Sequence, residues 1–568
     1  MKKIGGMLLA ALALAGCGGG GGSGGACNGS FEVCSGQYSR GGGGTTTSPF
    51  GYVAPPVSDW STVEKKCAAP RPASILDPYT HKSYGDTLGS LTTEKLWVRS
   101  FVNSTYLWYA DVFELDPAQY TIGATVNYTS PSDNYSSLRT LKSNYDVVNA
   151  YFNSQRSVLT TASGKPKDQF HFTYLTSEWT DLSGSGSSVG FGFNVALVES
   201  YPPRKVFVSY TDPGTPAADN HVERGAQFIK VNGVAVSDGS ADVLNEGLFS
   251  PQAGKSYTFE ILDAGATVSR SVTLTPRTVV STPVQNVHTL AAPYNNVGYI
   301  QFNDHIATAE SGLIDAVNRL KAANNGAGIK DLVLDLRYNG GGLLDIASEL
   351  AYMIAGQANT AGKIFEKEAF NDKNPFGMSE ADTRTPFHNL TQGFSTTEGQ
   401  ALPQLSLARV YVIAGSGTCS ASEAVINGLR GAGVDVVLVG ETTCGKPYGF
   451  FPQDNCGVTY FTIQFKGVNN VGYGDYADGF VPGGNASALN SVPGCVVADD
   501  FSKPLGDVLE ARLAAALQYR ASGVCGGFSA SAERASRVAR AQAAPRLPGT
   551  GLARPALREN RFYLPRRG

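Results

Sequence analysis

The stretch Tyr411–Lys446, YVIAGSGTCSASEAVINGLRGAGVDVVLVGETTCGK, constrains this chain more than any other. Tyr411–Ala414 is an unbroken apolar run, which reads as a strand buried on both faces. Glycine and small hydroxyl residues follow. Ala421, Ala424, Val425 and Leu429 then recur at helical spacing. A second buried strand is expected at Val436–Val439, and the segment closes on Gly445-Lys446. A strand, tight turn and helix start can hold a side chain exposed above a sheet. The first N–H groups of such a helix are unpaired and carry the positive end of its dipole. A serine there can attack a carbonyl while a neighbouring N–H receives the oxyanion. Ser420 is the candidate nucleophile and Lys446 its candidate base.

Plainer readings share these residues. Ser420-Ala421-Ser422-Glu423 also fits S-x-x-E, the capping box that ties off a helix N-terminus. Gly440–Lys446 spells most of a phosphate-binding loop, but Pro447 stands where Ser or Thr would hold magnesium, and YGFFP does not read as a helix. Cys419 beside the serine is an alternative nucleophile, although a thiolate normally needs a histidine partner or a cationic helix end. Metal ligands do not cluster at useful spacings, so neither metal nor other cofactor is expected.

Three motifs in order carry a family resemblance. Ser420, Ala421, Ser422 and Glu423 are followed by Gly440, Glu441, Thr443, Gly445 and Lys446, and preceded by Asp335, Leu336, Arg337, Asn339, Gly341 and Gly342 in VLDLRYNGGG. Together they resemble the C-terminal-processing (tail-specific) serine peptidases. The resemblance implies an α/β multidomain protein whose crotonase-like βαβ spiral core has a mainly parallel sheet. It also implies a Ser420–Lys446 dyad cutting polypeptide substrates near their C-termini. Glu423 would orient the lysine. The oxyanion would be received by the Ala421 N–H and a backbone N–H from Gly340, Gly341 or Gly342. His305, just after the first core strand, is the residue to check for a Ser-His arrangement instead. One departure stands out: the chain continues GKPYGFF rather than G-K-G, with Gln453 seven positions on, which leaves the usual glutamine's role open.

The proposed chemistry makes a demand on Lys446. Only the neutral amine can take the serine proton, yet a free lysine has a pKa of about 10.4. Burial disfavours the ammonium and could bring that down by about three units or more.

The N-terminus reads as an export signal: Lys2 and Lys3, an apolar run Met7–Ala15, then Leu14-Ala15-Gly16-Cys17, which looks like a bacterial lipobox. This implies a signal over 1–16, lipidation of Cys17, and membrane contact through a lipid anchor, with the protein in the cell envelope at the outer membrane. Residues 17–75, rich in Gly and Ser, are expected to be a tether. Eight cysteines remain once Cys17 is set aside, fitting an oxidising compartment, with Cys444–Cys456 as the first expected bridge.

Beyond the tether, residues 76–182 show helical faces such as Trp97, Val98, Phe101 and Val102. Residues 183–280 turn strand-rich and resemble a PDZ domain, with Gly190-Phe191-Gly192-Phe193 in the place of the carboxylate-binding loop. The catalytic core is expected over 281–525, with 356–405 as an insertion beside the site. The tail, 526–568, has nine arginines against two glutamates and reads as disordered. A formal net charge of −3 argues against a nucleic-acid partner, and no internal stretch is apolar and long enough to span a bilayer. The competing class is a non-catalytic PDZ-type peptide-binding or ligand-carrier protein on the same fold. Oligomeric state is not legible.

Overall fold

A computed structural model of the protein describes residues 52–57, 59–78, 80–129, 136–483, 488–527, 552 and 561–562. The signal, Cys17 and most of the Gly-rich segment lie outside the described residues.

The chain begins with helices α1 (Leu91–Thr105) and α2 (Asn144–Ser154), then β1 (Phe172–Leu175) and α3 (Thr176–Ser185). Ser90 caps α1 with a capping box, and Trp97, Val98, Phe101 and Val102 on its inner face are fully buried. This part is less purely helical than its periodicity predicts. It also holds the hairpin Thr125–Thr129/Ser136–Thr140, and β1 pairs with a strand of the core. The expected tether is shorter than residues 17–75. Trp60 packs edge-on against Trp97 and Phe101, Cys67 is bonded to Cys456, and Arg71 is paired with Asp86 and Asp454. A few apolar and charged anchors are enough to fold this stretch onto the core.

A β-rich unit follows: β2 (Phe193–Glu199), β3 (Lys205–Thr211), β4 (Gln227–Val231), α4 (Ala241–Phe249), β5 (Tyr257–Leu262) and β6 (Arg270–Leu274). The strands run in the order β6-β5-β4-β3-β2, all antiparallel, around their own apolar cluster.

The core carries, in chain order, β7 (Val284–Thr289), β8 (Val297–Phe302), α5 (Ala309–Ala322), β9 (Asp331–Asp335), the short β10 (Gly342–Leu343), α6 (Leu344–Thr360), β11 (Ile364–Phe370), β12 (Arg409–Ala414), α7 (Ala421–Ala432) and β13 (Asp435–Gly440). Next come β14 (Tyr448–Gly449), β15 (Val458–Phe461), β16 (Phe465–Val468), β17 (Gly494–Val496), α8 (Ala511–Ser522) and β18 (Arg561–Phe562). The strand order of the central sheet is β7-β8-β9-β12-β13-β17. The β7–β8 pair is antiparallel and the other four are parallel. The expected mainly parallel sheet therefore describes this sheet alone, and pairing elsewhere in the described chain is mostly antiparallel. The supposed insertion is part of the architecture: β11 pairs antiparallel with β16.

Alternation along each parallel strand explains the layering. Leu332, Leu334, Val410, Val412 and Leu438 face α5, α6 and α7 in one cluster; Val333, Tyr411, Ile413, Val437 and Val439 face α8 in another. A sheet buried on both sides must be apolar throughout, as these strands are. Because β8, β9, β12 and β13 run in one direction, their C-terminal ends lie along one edge. Gln301 is level with Asp335, Asp335 with Ile413, and Ile413 with Val439. Four loops leave that edge together, and they contain His305, Asn339–Gly342, Ser420 and Lys446.

Candidate active site

Ser420 sits at the turn from β12 into α7 with φ 62° and ψ −116°, backbone values that few non-glycine residues adopt. Ser420 and Glu423 stand in capping-box positions at the start of α7, and Ser420 Oγ is buried with no hydrogen bond to any group outside that box. The turn is braced from the neighbouring loop. The Cys419 N–H donates to Asn339 O at 3.1 Å, Ser422 Oγ donates to the same oxygen at 3.0 Å, and Thr418 Oγ1 donates to Leu336 O at 2.7 Å.

Glu423 ties the two candidate catalytic residues together through their main chains. Its Oε2 accepts the Ser420 N–H at 3.0 Å and the Lys446 N–H at 2.8 Å; its Oε1 accepts the Gly445 N–H at 2.9 Å and the Thr443 hydroxyl. Burial pushes the Glu423 carboxyl up, and the donations from Thr443, Lys446, Gly445 and Ser420 work against that. The expected orienting role for Glu423 is thus exerted on the lysine's backbone. Lys446 is wholly buried, with Nζ 4.4 Å from the ring centre of Phe170 and 4.2 Å from that of Phe450. Phe170 comes from the N-terminal part of the chain, and no sequence signal ties it to Lys446.

Cys419 is bonded to Cys444, which excludes it as a free thiolate nucleophile and overturns the expected Cys444–Cys456 bridge. Cys456 instead lies in the turn leading into β15 and bonds Cys67, while Cys495 bonds Cys525. The Cys419–Cys444 bridge staples the serine turn to the lysine turn.

The glycine loop is shaped by Asn339. Its Nδ2 donates to Phe302 O at 3.0 Å, and its Oδ1 accepts the Gly341 N–H at 2.9 Å and faces His305 Nδ1 at 3.0 Å. An acceptor at that distance assigns the imidazole proton to Nδ1. Burial drives the His305 pKa down to about 3, so the ring is neutral. His305 therefore braces the glycine loop through Nδ1, which Asn339 takes, while its Nε2 is buried without a hydrogen-bond partner. The Gly341 N–H, already donated, drops out of the expected oxyanion set. Gly342 has φ 136°, and a Cβ there would meet His305 O at 2.4 Å, so only glycine fits. Gly340 is the loop residue with neither commitment, and the Ala421 N–H opens α7.

Behind the loop, Arg337 is buried and donates to Asp335, Asp499 and Glu510, while Arg224 of the β-rich unit donates to Asp499 and to Tyr338. Burial alone would raise Asp499; Arg512, Arg337 and Arg224 outweigh it and hold its carboxyl well below the usual range.

Gly190–Phe193 lie elsewhere, bordering a cleft of about 130 Å³ together with Leu248, Phe249 and Tyr338. Phe191 and Phe193 point into the β-rich unit's core, their ring centres 5.3 Å apart. Gly192 has φ 87°, and a Cβ there would strike Thr215 at 2.2 Å. Any ligand would thus meet this segment's backbone rather than its aromatic rings.

Residues 296–452 match the model of Peptidase family S41. This stretch is a Peptidase family S41 domain. It runs from β8 to just past Lys446 and contains the glycine loop, Ser420 and Glu423. Among solved structures, a protein described as an S41 protease from Bacteroides fragilis is similar at 22% identity, with a TM-score of 0.52 over 75% of this chain and 97% of that one. The photosystem II D1 C-terminal processing protease is similar at 18% identity and TM-score 0.38, over 70% of this chain and 93% of its own. Mature CPAF is similar at 12% identity and TM-score 0.35, over 69% and 91%. The Bacteroides protein establishes a shared fold. No curated protein matches the chain. The S41 domain supports a serine peptidase acting on polypeptides.

Proposed function

We propose that the protein is an exported, lipid-anchored serine endopeptidase that hydrolyses peptide bonds near substrate C-termini with Ser420 as nucleophile and Lys446 as base. The observation that carries the reading is the Ser420 turn: a strained backbone, a buried hydroxyl with no bond outside the capping box, and an amide tied through one Glu423 oxygen to the amide of Lys446.

Neutral Lys446 Nζ takes the Ser420 Oγ proton as Oγ bonds to the scissile carbonyl carbon. The carbonyl oxygen becomes an oxyanion received by the Ala421 and Gly340 N–H groups. On collapse the C–N bond breaks, and the Lys446 ammonium returns its proton to the leaving amine. Water then hydrolyses the acyl-enzyme by the same route and restores the serine. The aromatic walls from Phe170 and Phe450 keep water from the amine.

The core is read as a crotonase-type spiral, and the β-rich unit as PDZ-like, its cleft presenting the Gly190–Phe193 backbone to a peptide C-terminus. Envelope location through lipidated Cys17 rests on the sequence alone. The test is cleavage of an unfolded protein by the wild type, Ser420→Ala and Lys446→Ala, with mass spectrometry of the fragments. Loss in both variants is expected; cleavage persisting in Ser420→Ala would remove the serine from the mechanism. A silent wild type alongside retained peptide binding in the cleft would favour a binding protein.

A further inference from the structure

The chain's own C-terminal segment meets the site. β18 pairs in parallel with β10, Arg561 opposite Gly342 and Phe562 opposite Leu343. On its other side Gly342 is bridged to His305, so β10 is the outer strand of the glycine loop and β18 closes its edge. β18 also lies against β14, which begins two residues after Lys446. It thus contacts both the strand that ends the glycine loop and the strand that follows the lysine. Ser420 and Lys446 are each 0% exposed with β18 in this position. A second anchor lies upstream. Leu552 is buried in the apolar cluster of the β-rich unit and its N–H donates to Ser200 O at 2.9 Å.

We propose that β10 is the strand on which an extended polypeptide seats for cleavage, running parallel to it, and that Arg561–Phe562 holds this seat in cis as a competitive autoinhibitor. The proposal rests on the peptidase reading for its consequence, though not for its contact. Main-chain pairing to an exposed strand accepts many sequences, because the backbone supplies the hydrogen bonds. A segment tethered at Leu552 is presented at an effective concentration of roughly millimolar, so even a weak strand partner would occupy the edge. An incoming polypeptide must then displace it, and loss of the tail by proteolysis would open the seat permanently.

The test separates seat from chemistry. In a Ser420→Ala background, three forms are compared: the full chain, a chain ending at Leu552, and Phe562→Pro, which removes an N–H and breaks strand pairing. Each is titrated with a fluorescein-labelled peptide of residues 553–568, read by anisotropy. The shortened chain and Phe562→Pro are expected to bind at least tenfold more tightly than the full chain. With Ser420 intact, the same two changes are expected to lower KM for an unfolded protein several-fold and leave kcat unaltered. Equal peptide binding by all three forms, or by none, would overturn the proposal. If the shortened chain does not fold, Phe562→Pro decides alone. Tighter binding without cleavage by any form would sustain the seat and sink the peptidase reading; cleavage with identical KM and identical binding would do the reverse.

Discussion

The backbone amides of Ser420 and Lys446 donate to one and the same oxygen, Glu423 Oε2, at 3.0 and 2.8 Å. The serine turn and the lysine turn are therefore registered by a single buried carboxylate lying one turn into α7. Glu423→Ala would leave those two donors, the Gly445 N–H and the Thr443 hydroxyl without their acceptor in the interior. Unsatisfied buried groups cost about 1–3 kcal/mol each, non-additively. The expected result is a loss of about 3–5 kcal/mol in denaturant unfolding. Peptidase activity should fall by roughly a hundredfold or more, as displacement of positioning groups does. Activity within twofold of wild type would show that the carboxylate does not set the geometry.

Cys419 and Cys444 provide the covalent counterpart, closing a separation of 25 residues between the same two turns. Loop closure of this size is worth about 3 kcal/mol. The double variant Cys419→Ala/Cys444→Ala leaves the other two described bridges intact. It should unfold at lower denaturant and cleave several-fold more slowly. Equal kcat with only a shifted midpoint would assign the bridge to stability alone.

Arg337 holds three carboxylates, those of Asp335, Asp499 and Glu510, behind the glycine loop. Arg337→Met removes the cation and strands buried charge, with an expected loss of about 3–5 kcal/mol or failure to fold. In the wild type the Asp499 carboxyl is held low, so its stabilising contribution is complete above the unfolded carboxylate range near about 3.9. It is lost as pH falls further, toward the folded value. Acid unfolding of Arg337→Met should therefore begin at higher pH than that of wild type, followed by circular dichroism.

Glu349 behaves in the opposite sense. Glu349 Oε1 and Glu310 Oε1 accept the same Gln392 N–H, at 2.9 and 2.8 Å, and both carboxylates are buried. Burial, and then the charge of Glu310, push Glu349 up to about 9. The folded protein keeps this proton where the unfolded chain, with a carboxyl near about 4.3, has lost it. Stability should thus fall as pH rises through that window, by up to about 1.4 kcal/mol per pH unit. Glu349→Gln replaces the proton with an amide donor and should flatten the slope. Denaturant midpoints from about pH 6 to about pH 9 would check this, and parallel slopes in the two proteins would refute it.

The strand–turn–helix around Ser420, the glycine loop after β9 and the apolar strands of the central sheet were legible in the sequence alone. They depend on local periodicity: unbroken apolar runs for strands buried on both faces, a 3.6-residue repeat for α7, and glycine where the backbone needs positive φ. The S-x-x-E pattern also served two readings at once. Glu423 does receive the Ser420 amide as a capping residue would, and in the same position it grips Lys446.

Other features were decided only in three dimensions. Period carries no information about which cysteines meet, so Cys444 found Cys419 across the sheet edge instead of Cys456. Phe170 reaches Lys446, Asn339 claims His305 and the Gly341 N–H, and residues 59–75 pack on the core through Trp60 and Cys67, although composition reads them as tether. Arg561–Phe562 lies in a tail whose charge and prolines read as disorder, yet it pairs with β10. The serine, lysine and glycine loops meet because parallel strands bring their C-terminal ends to one edge, and that alignment belongs to the sheet's topology rather than to any single stretch of residues. Trp60 and Cys67 are held elsewhere, by an aromatic contact and a bridge between segments far apart in the chain.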